Sequence, residues 1–175
     1  MRTVDKGPDY PVIVSCVGGY PSSDNEACFD ISLLGVSYQC RSLAERDGYV
    51  RRLQYADRVA GRAWKQWIDS DGSGFSVASA GYAGRPEQGY LASYADSELI
   101  VDCDDFTVRS VFRYAVGCYG RLTLTDWIGG WNGPDGVYLD VSKHFAGLND
   151  CIEFARLNNQ LAYYDCAKDA SYEVL

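Results

Sequence analysis

The segment from Ser42 to Asp69 limits the possible folds of this chain more than any other stretch, because a helical pattern runs through it for many turns. Ser42-Leu43-Ala44-Glu45 has the form of a capping box. In such a box the serine oxygen accepts from an orphan amide of the first turn and the glutamate three residues on reaches back. Apolar groups then recur at Val50, Leu53, Ala56 or Ala60, Ala63, Trp64 and Trp67, close to helical spacing. A helix of roughly six or seven turns is expected. Gly48 and Gly61 weaken it, each by about 1 kcal/mol relative to alanine.

This helix is basic in an acidic chain. Residues 42–67 hold Arg46, Arg51, Arg52, Arg58, Arg62 and Lys65 against Glu45, Asp47 and Asp57, while the formal net charge of the whole is −8. Its cations are read as a solvated face that also pairs with the acidic body, or else as a surface for an acidic partner. The overall charge argues against a general nucleic-acid binder, since phosphate contacts need a basic surface. Most of the acidic residues are aspartates, which favour turns, caps and loops over helix interiors.

With 175 residues, 47% of them hydrophobic, the chain can build one domain (1–175), or two subdomains (1–95 and 96–175) sharing a core. Apolar runs such as PVIVSCV at 11–17 are far shorter than the roughly 20 residues that span a bilayer, and MRTVDKGPDY offers no signal-like apolar region. A cytoplasmic location without membrane contact is expected. The seven cysteines, at 16, 28, 40, 103, 118, 151 and 166, are odd in number and widely spaced, so reduced and mostly buried thiols are expected rather than a disulfide framework.

The rest of the chain reads as shorter elements. PVIVSCVGGY and ACFDISLLG at 27–35 suggest a hairpin, and strand-like pieces follow at 75–79, 90–94 and 98–103. A second helix is led by Asp104-Asp105 at the positive end of its dipole, buries Val108, Val111, Phe112, Ala115, Val116 and Tyr119, and stops at Gly120. RLTLT at 121–125, WIGGW at 127–131 and GVYLDVS at 136–142 read as strands, the last two joined through Asn132-Gly133-Pro134-Asp135-Gly136. A third helix begins near Leu148-Asn149, turns Cys151, Ile152, Ala155 and Leu157 inward, and ends at Asn158-Asn159; LAYYD at 161–165 is a strand and SYEVL follows. The expected class is α+β: a mixed, mainly antiparallel sheet with about three helices, one long and basic.

IDSDGSGF at 68–75 imitates the first half of a calcium loop, with Asp69, Asp71 and Ser73 at its oxygen-donor positions and Gly74 at its sharp turn. The bidentate glutamate that closes such a loop is replaced by Ala80. These three residues are therefore a weak cation candidate, no metal or other cofactor is expected, and the stretch reads as a helix stop. Catalytic signals are sparse. His144 is the single imidazole, no GxSxG or phosphate loop occurs, and the pairs Asp102/Asp104 and Asp126/Asp140 would need to converge to share a proton. The chain is read as leaning away from catalysis. Its distinctive inventory is aromatic: 14 Tyr, 4 Trp and 6 Phe. Tyr82, Tyr90 and Tyr94 lie among Gly, Ala and Ser, and large rigid rings with a polar handle suit binding surfaces.

The segment 127–165 supplies a resemblance. Gly129, Gly130, Trp131, Tyr138, Leu139, Asp140, Ser142, Ala155, Asn159, Gln160, Ala162 and Asp165 match a GGW…YLDVS…NQ…D pattern. That pattern resembles a module of uncharacterised accessory proteins of bacteriophages, prophages and conjugative elements. The resemblance implies a strand–helix–strand unit, with Val137, Leu139 and Val141 alternating onto the helix and Asn159 as a left-handed cap, and a mobile-element origin without known chemistry. By association it points to an anti-CRISPR or antirestriction type of protein.

The expected function is accordingly a non-enzymatic inhibitor, acting in the bacterial cytoplasm, that binds a host defence protein or protein–RNA complex and occludes its basic nucleic-acid cleft. Asp102, Asp104, Asp105, Tyr82, Tyr90, Tyr94, Trp127 and Trp131 are its candidate contacts, carboxylates standing in for phosphates. A protein that binds or modifies a nucleotide signal, and a virion or structural component, are the alternatives.

Overall fold

The computed structural model describes residues 13–16, 29–80 and 86–174; of 13–16, 29 and 30 only the backbone is described. Among these residues there are three helices and ten strands: β1 (Ile13–Cys16), β2 (Phe29–Leu33), β3 (Val36–Cys40), α1 (Leu43–Asp69), β4 (Gly74–Ala78), β5 (Tyr90–Ser93), β6 (Leu99–Val101), α2 (Val108–Cys118), β7 (Asp126–Gly133), β8 (Gly136–Phe145), α3 (Leu148–Leu157), β9 (Ala162–Asp165) and β10 (Ala170–Glu173). The fold is α+β. No helix among the described residues is long and apolar enough to cross a membrane.

α1 forms where its period and caps place it. Ser42 Oγ accepts from Glu45 N at 3.1 Å, and the Glu45 carboxylate reaches one residue beyond the cap, to Arg41 N at 2.8 Å. Leu53, Ala56, Val59, Ala60 and Ala63 are buried, and this alanine-rich stripe lets α2 approach closely through Val111, Phe112 and Ala115. Arg52 is drawn into that contact, donating to the Val116 carbonyl at 2.8 Å and lying over the Tyr38 ring. Two other cations pair within the helix itself, Arg46 with Asp47 and Lys65 with Asp69. The helix ends at Ser70, whose hydroxyl donates to the Gly74 carbonyl at 2.8 Å, while Asp71 and Gly72 take left-handed φ of 54° and 77°. IDSDGSGF is thus the turn that hands α1 over to β4.

The strands form two antiparallel sheets. β1, β2 and β3 make a small one, packed on α1 through Ile31, Leu33 and Cys40. The large sheet has the order β10-β9-β5-β8-β7-β4, with β6 also paired to β8. β7 and β8 form its spine, in register from Asp126↔Lys143 to Gly133↔Gly136 and joined by Pro134-Asp135. Side chains alternate along them. One face presents Asp126, Ile128, Gly130, Val137, Leu139 and Val141 to α1 and α2, and Phe75 and Val77 of β4 complete that core. Burying each of these large apolar side chains contributes about 1.5–3 kcal/mol. α3 lies on the same face farther along, where Cys151 and Ala155 close on Ala92 with Phe145, Phe154 and Tyr163 around them.

Several expectations are corrected. RLTLT is not a strand: Thr123 N donates to Asp126 Oδ2 at 2.6 Å, Asp126 N bonds the Thr123 carbonyl, and Leu124 is 83% exposed. A local carboxylate supplies the backbone partner that a ladder would have supplied. Asp104-Asp105 do not start α2; they lie in a preceding turn where Asp102 Oδ1 accepts from Asp104 N, and the N-cap is Thr107, whose amide donates to Ser110 Oγ at 3.2 Å. Leu157 is 77% exposed rather than inward, because it falls outside the Cys151–Ala155 contact line. Val137, Leu139 and Val141 belong to the core shared with α1 and α2 and not to that of α3, which takes in Tyr90 and Ala92 of β5, Phe145 of β8 and Tyr163 of β9. Gly120, with φ of 89°, does follow the end of α2, and Asn159, with φ of 53°, follows that of α3. Among the described residues Cys40, Cys118, Cys151 and Cys166 are buried, and Cys103 is exposed.

The glycines differ in what they permit. A Cβ on Gly61 would meet nothing within 4 Å, whereas one on Gly130 would overlap the Phe75 ring. Gly61→Ala is therefore expected to stabilise the protein by up to about 1 kcal/mol. Gly130→Ala should destabilise it by about 1–3 kcal/mol through overpacking. Urea unfolding of the two variants beside the parent checks both signs.

Candidate functional site

The other face of the large sheet carries no helix among the described residues. Register places Trp127, Gly129 and Trp131 of β7 there, opposite Ser142, Asp140 and Tyr138 of β8, with Ser93 of β5 and Ile100 of β6 beside them. The doublet Gly129-Gly130 is needed on both sides of this strand. Gly130 makes room for Phe75 on the helical face, and a Cβ on Gly129 would come within 2.7 Å of Asp140 Oδ1 on the open one.

Asp140 sits in the middle of the open face. Ser93 Oγ donates to its Oδ2 at 2.7 Å and Ser142 Oγ to its Oδ1 at 3.1 Å. Loss of hydration pushes this carboxyl above the usual range, the two hydroxyls partly offset the shift, and Glu98 nearby adds to it. Asp126, proposed as its partner, lies on the opposite face, 2% exposed, holding the Tyr94 hydroxyl at 3.0 Å and Thr123 N. The Asp126/Asp140 pair therefore does not converge. His144 is tied by Nε2 to the Gln88 carbonyl at 2.8 Å, so its imidazole has a local backbone partner.

At the β7–β8 hairpin end the face becomes aromatic and acidic. Trp131 stacks on Tyr138 with ring centroids 4.4 Å apart and planes 15° apart, and the Tyr138 hydroxyl donates to Asp135 Oδ2 at 3.1 Å. Gly133 makes this stack possible, because a Cβ there would be 2.7 Å from the Trp131 ring. Trp131 is 47% exposed and Ile100, beside Tyr138, 45%. The β6–α2 loop is fastened to the same end, Cys103 Sγ lying 3.6 Å from Asn132 Oδ1. Asn132 has the parity of the helical face, so exposed Asp102, Asp104 and Asp105 lie in a loop joined to that side of the hairpin end. An open indole face with carboxylates around it suits a lysine or arginine side chain, through the ring quadrupole and through ion pairing.

The sequence-based candidates thus separate. Trp131 lies on the open face, Asp102, Asp104 and Asp105 lie in the exposed β6–α2 loop joined to Asn132, and Trp127 shares the open face at the other end of β7, half-buried opposite Ser142. Tyr90 and Tyr94 point to the helical face. Tyr90 packs edge-on against Tyr163, and Tyr94 packs against Phe154, its hydroxyl pushed up to about 12 by burial and by the Asp126 carboxylate. Tyr82 lies outside the described residues. Of the cation candidates, Asp69 is held by Lys65 at 2.6 Å, and among the described residues no three His, Cys, Asp or Glu side chains gather as a metal would require. Glu98 and Asp135 were missed, while Tyr138 and Asp140 were named in the sequence but not as partner contacts; the signal for these two lay in the glycines of GGWNG facing YLD across a short turn.

No protein-family model matches the chain, and neither a curated protein nor a solved structure shows significant similarity to it.

Two carboxyls make opposite pH predictions. Asp140 is raised in the fold, so its contribution favours folding at low pH and is lost as pH rises through its folded value. Asp165 is lowered by Lys168, at 2.9 Å, and by backbone amides, so its contribution is present at neutral pH and is lost as pH falls through the carboxylate range. Melting temperatures from about pH 2 to about pH 8 should show Asp140→Asn gaining on the parent as pH rises above the ordinary carboxylate value, and Asp165→Asn losing to it as pH rises from the acid end.

Proposed function

We propose that this protein is a non-enzymatic accessory factor of a mobile element, acting in the cytoplasm of a bacterial host. It binds a defence complex of the anti-CRISPR or antirestriction class and covers that complex's basic nucleic-acid-binding surface. The observation that carries this reading is the hairpin end of the open sheet face, where the exposed Trp131–Tyr138 stack is flanked by the Asp135 and Glu98 carboxylates. Carboxylates spaced around flat rings imitate phosphates spaced around bases, and the net charge of −8 draws such a patch toward a basic cleft. The resemblance of residues 127–165 to mobile-element modules supports the same reading, and its Gly129, Trp131, Tyr138 and Asp140 all lie on this face.

Expressed in a bacterium that restricts an incoming phage by cleaving its DNA, the protein should restore plaque formation. The defence complex retained by the purified chain should be released by raising salt from ~0.05 to ~0.5 M, and by competing DNA. Replacing Asp102, Asp104 and Asp105 together by lysine should weaken retention about tenfold or more without lowering the melting temperature. Retention indifferent both to salt and to these substitutions would exclude the reading.

A second reading, a nucleotide-signal binder, rests on one groove of ≈ 740 Å³ at the opposite end of β7, lined by Tyr55, Ser79, Tyr119, Leu122, Thr123 and Thr125. The Tyr55 hydroxyl at this groove is buried without a hydrogen-bond partner among the described residues, and Arg58 stands close enough to act on it electrostatically. If this groove takes a nucleotide, mono- and cyclic dinucleotides at millimolar concentration should raise the melting temperature, and Tyr55→Phe should abolish the rise. No shift with any of them removes this reading.

A further inference from the structure

The outer edge of β6 shows how a basic partner would be held, an inference that rests on the reading of the hairpin end as a partner surface. β5 and β6 lie along one edge of β8, in register with its residues 142–145 and 137–139. Between them, Val141 accepts from Tyr94 N at 3.0 Å and donates to Ser97 Oγ at 3.1 Å, so its backbone groups point toward the β5–β6 side. In an antiparallel ladder the N–H and C=O of one residue point the same way and the direction alternates along the strand. Leu139 and Val137 therefore also face β6, where they meet Leu99 and Val101. Ile100, opposite Tyr138, turns both its backbone groups outward.

Among the described residues no strand covers that outer edge. β9 pairs only with Tyr90 and Leu91 of β5, and Leu99 and Ile100 are each 45% exposed. The edge is also charged in one sense: Asp96, Glu98, Asp102, Asp104 and Asp105 flank it, and no lysine or arginine occurs between Pro86 and Val108. Two copies pairing antiparallel through Ile100 would set Glu98 of one against Asp102 of the other. Like charges directly opposite are unfavourable, which protects the edge from self-association. The same carboxylates favour a strand bearing cations at those two positions.

We propose that β6 accepts an extended segment of a basic partner as an added antiparallel strand centred on Ile100, with lysine or arginine two residues to either side of an apolar residue. Ile100 N–H and C=O bond the central residue, whose side chain lies beside Ile100 and Tyr138. Glu98 and Asp102 meet the two cations. Main-chain bonds supply affinity and the charged flanks supply selection.

The test uses the full chain at low ionic strength and a synthetic peptide, Thr-Lys-Val-Val-Val-Lys-Thr, blocked at both ends. Calorimetry should show binding of this peptide. At least tenfold weaker binding is expected for a version with glutamate in place of lysine, and for one N-methylated at the central valine. Ile100→Pro removes an N–H that β8 does not use, so it should lose the peptide at least tenfold with the sheet intact. Amide exchange at Ile100 should slow in the wild-type complex. Equal binding of the N-methylated peptide, equal binding of the glutamate peptide, or full binding by Ile100→Pro would overturn the proposal. So would a concentration-dependent dimer that Ile100→Pro dissolves, since the edge would then hold a second copy. Should Ile100→Pro fail to fold, the N-methylated peptide decides alone. Capture of a defence complex by Ile100→Pro as by the parent, with loss by the Asp102/Asp104/Asp105 lysine variant, would overturn the added strand and leave the proposed function standing.

Discussion

The register between β7 and β8 is the constraint on which the rest of the molecule depends. Pairing Gly133 with Gly136 across Pro134-Asp135 sets every later pair, and with them which side chains face the helices. A slip of one residue would exchange the two faces, sending Ile128, Leu139 and Val141 to solvent and Asp140 and Trp131 into the core. Such a slip would remove several apolar side chains from burial and leave a carboxylate without its hydroxyl donors. The register is therefore strongly specified.

Two successive glycines let that register serve both faces at once. Gly130 admits the Phe75 ring to the core that α1 and α2 share with the sheet, and Gly129 admits the Asp140 carboxyl to the open side. The helical face is a closed apolar assembly with Asp126 inside it, satisfied by Tyr94 and Thr123. The open face is polar in its middle and aromatic toward the hairpin end. Burial and the Glu98 carboxylate raise Asp140 on that face, while the Ser93 and Ser142 hydroxyls hold it in place.

Much of the architecture was legible because it rests on local chemistry. α1 follows from its capping box and apolar period, and its end from the Asp71-Gly72 pair; α2 and α3 stop where Gly120 and Asn159 take positive φ. Hairpin formation at Pro134-Asp135 follows from turn residues between two alternating runs. What failed was decided by competition between partners that are distant, or of another kind. RLTLT has a strand-like pattern, but Asp126 takes its backbone amide; DCDDF has the charges of a helix start, but Thr107 and Ser110 make the cap. Leu157 is apolar, but it stands two residues past Ala155, about 200° around the helix, and so points to solvent.

The candidate surface was half visible. Tyr90, Tyr94, Trp127 and Trp131 look alike in sequence, being aromatic residues among small ones, yet the first two point to the helices and the last two to the open face. Alternation along a strand assigns relative faces, but it cannot say which face the helices cover. By itself the sequence determined the helices, their stops, the turn that sets the β7–β8 register and the acidic charge, because each depends on neighbours within a few residues. The tertiary structure alone decided that Asp126 and Asp140 part company, that Trp131 stacks on Tyr138 beside Asp135, and that no strand among the described residues covers the outer edge of β6. Those outcomes depend on which distant strand pairs with which, and the free energy that selects the pairing is spread over the whole buried face.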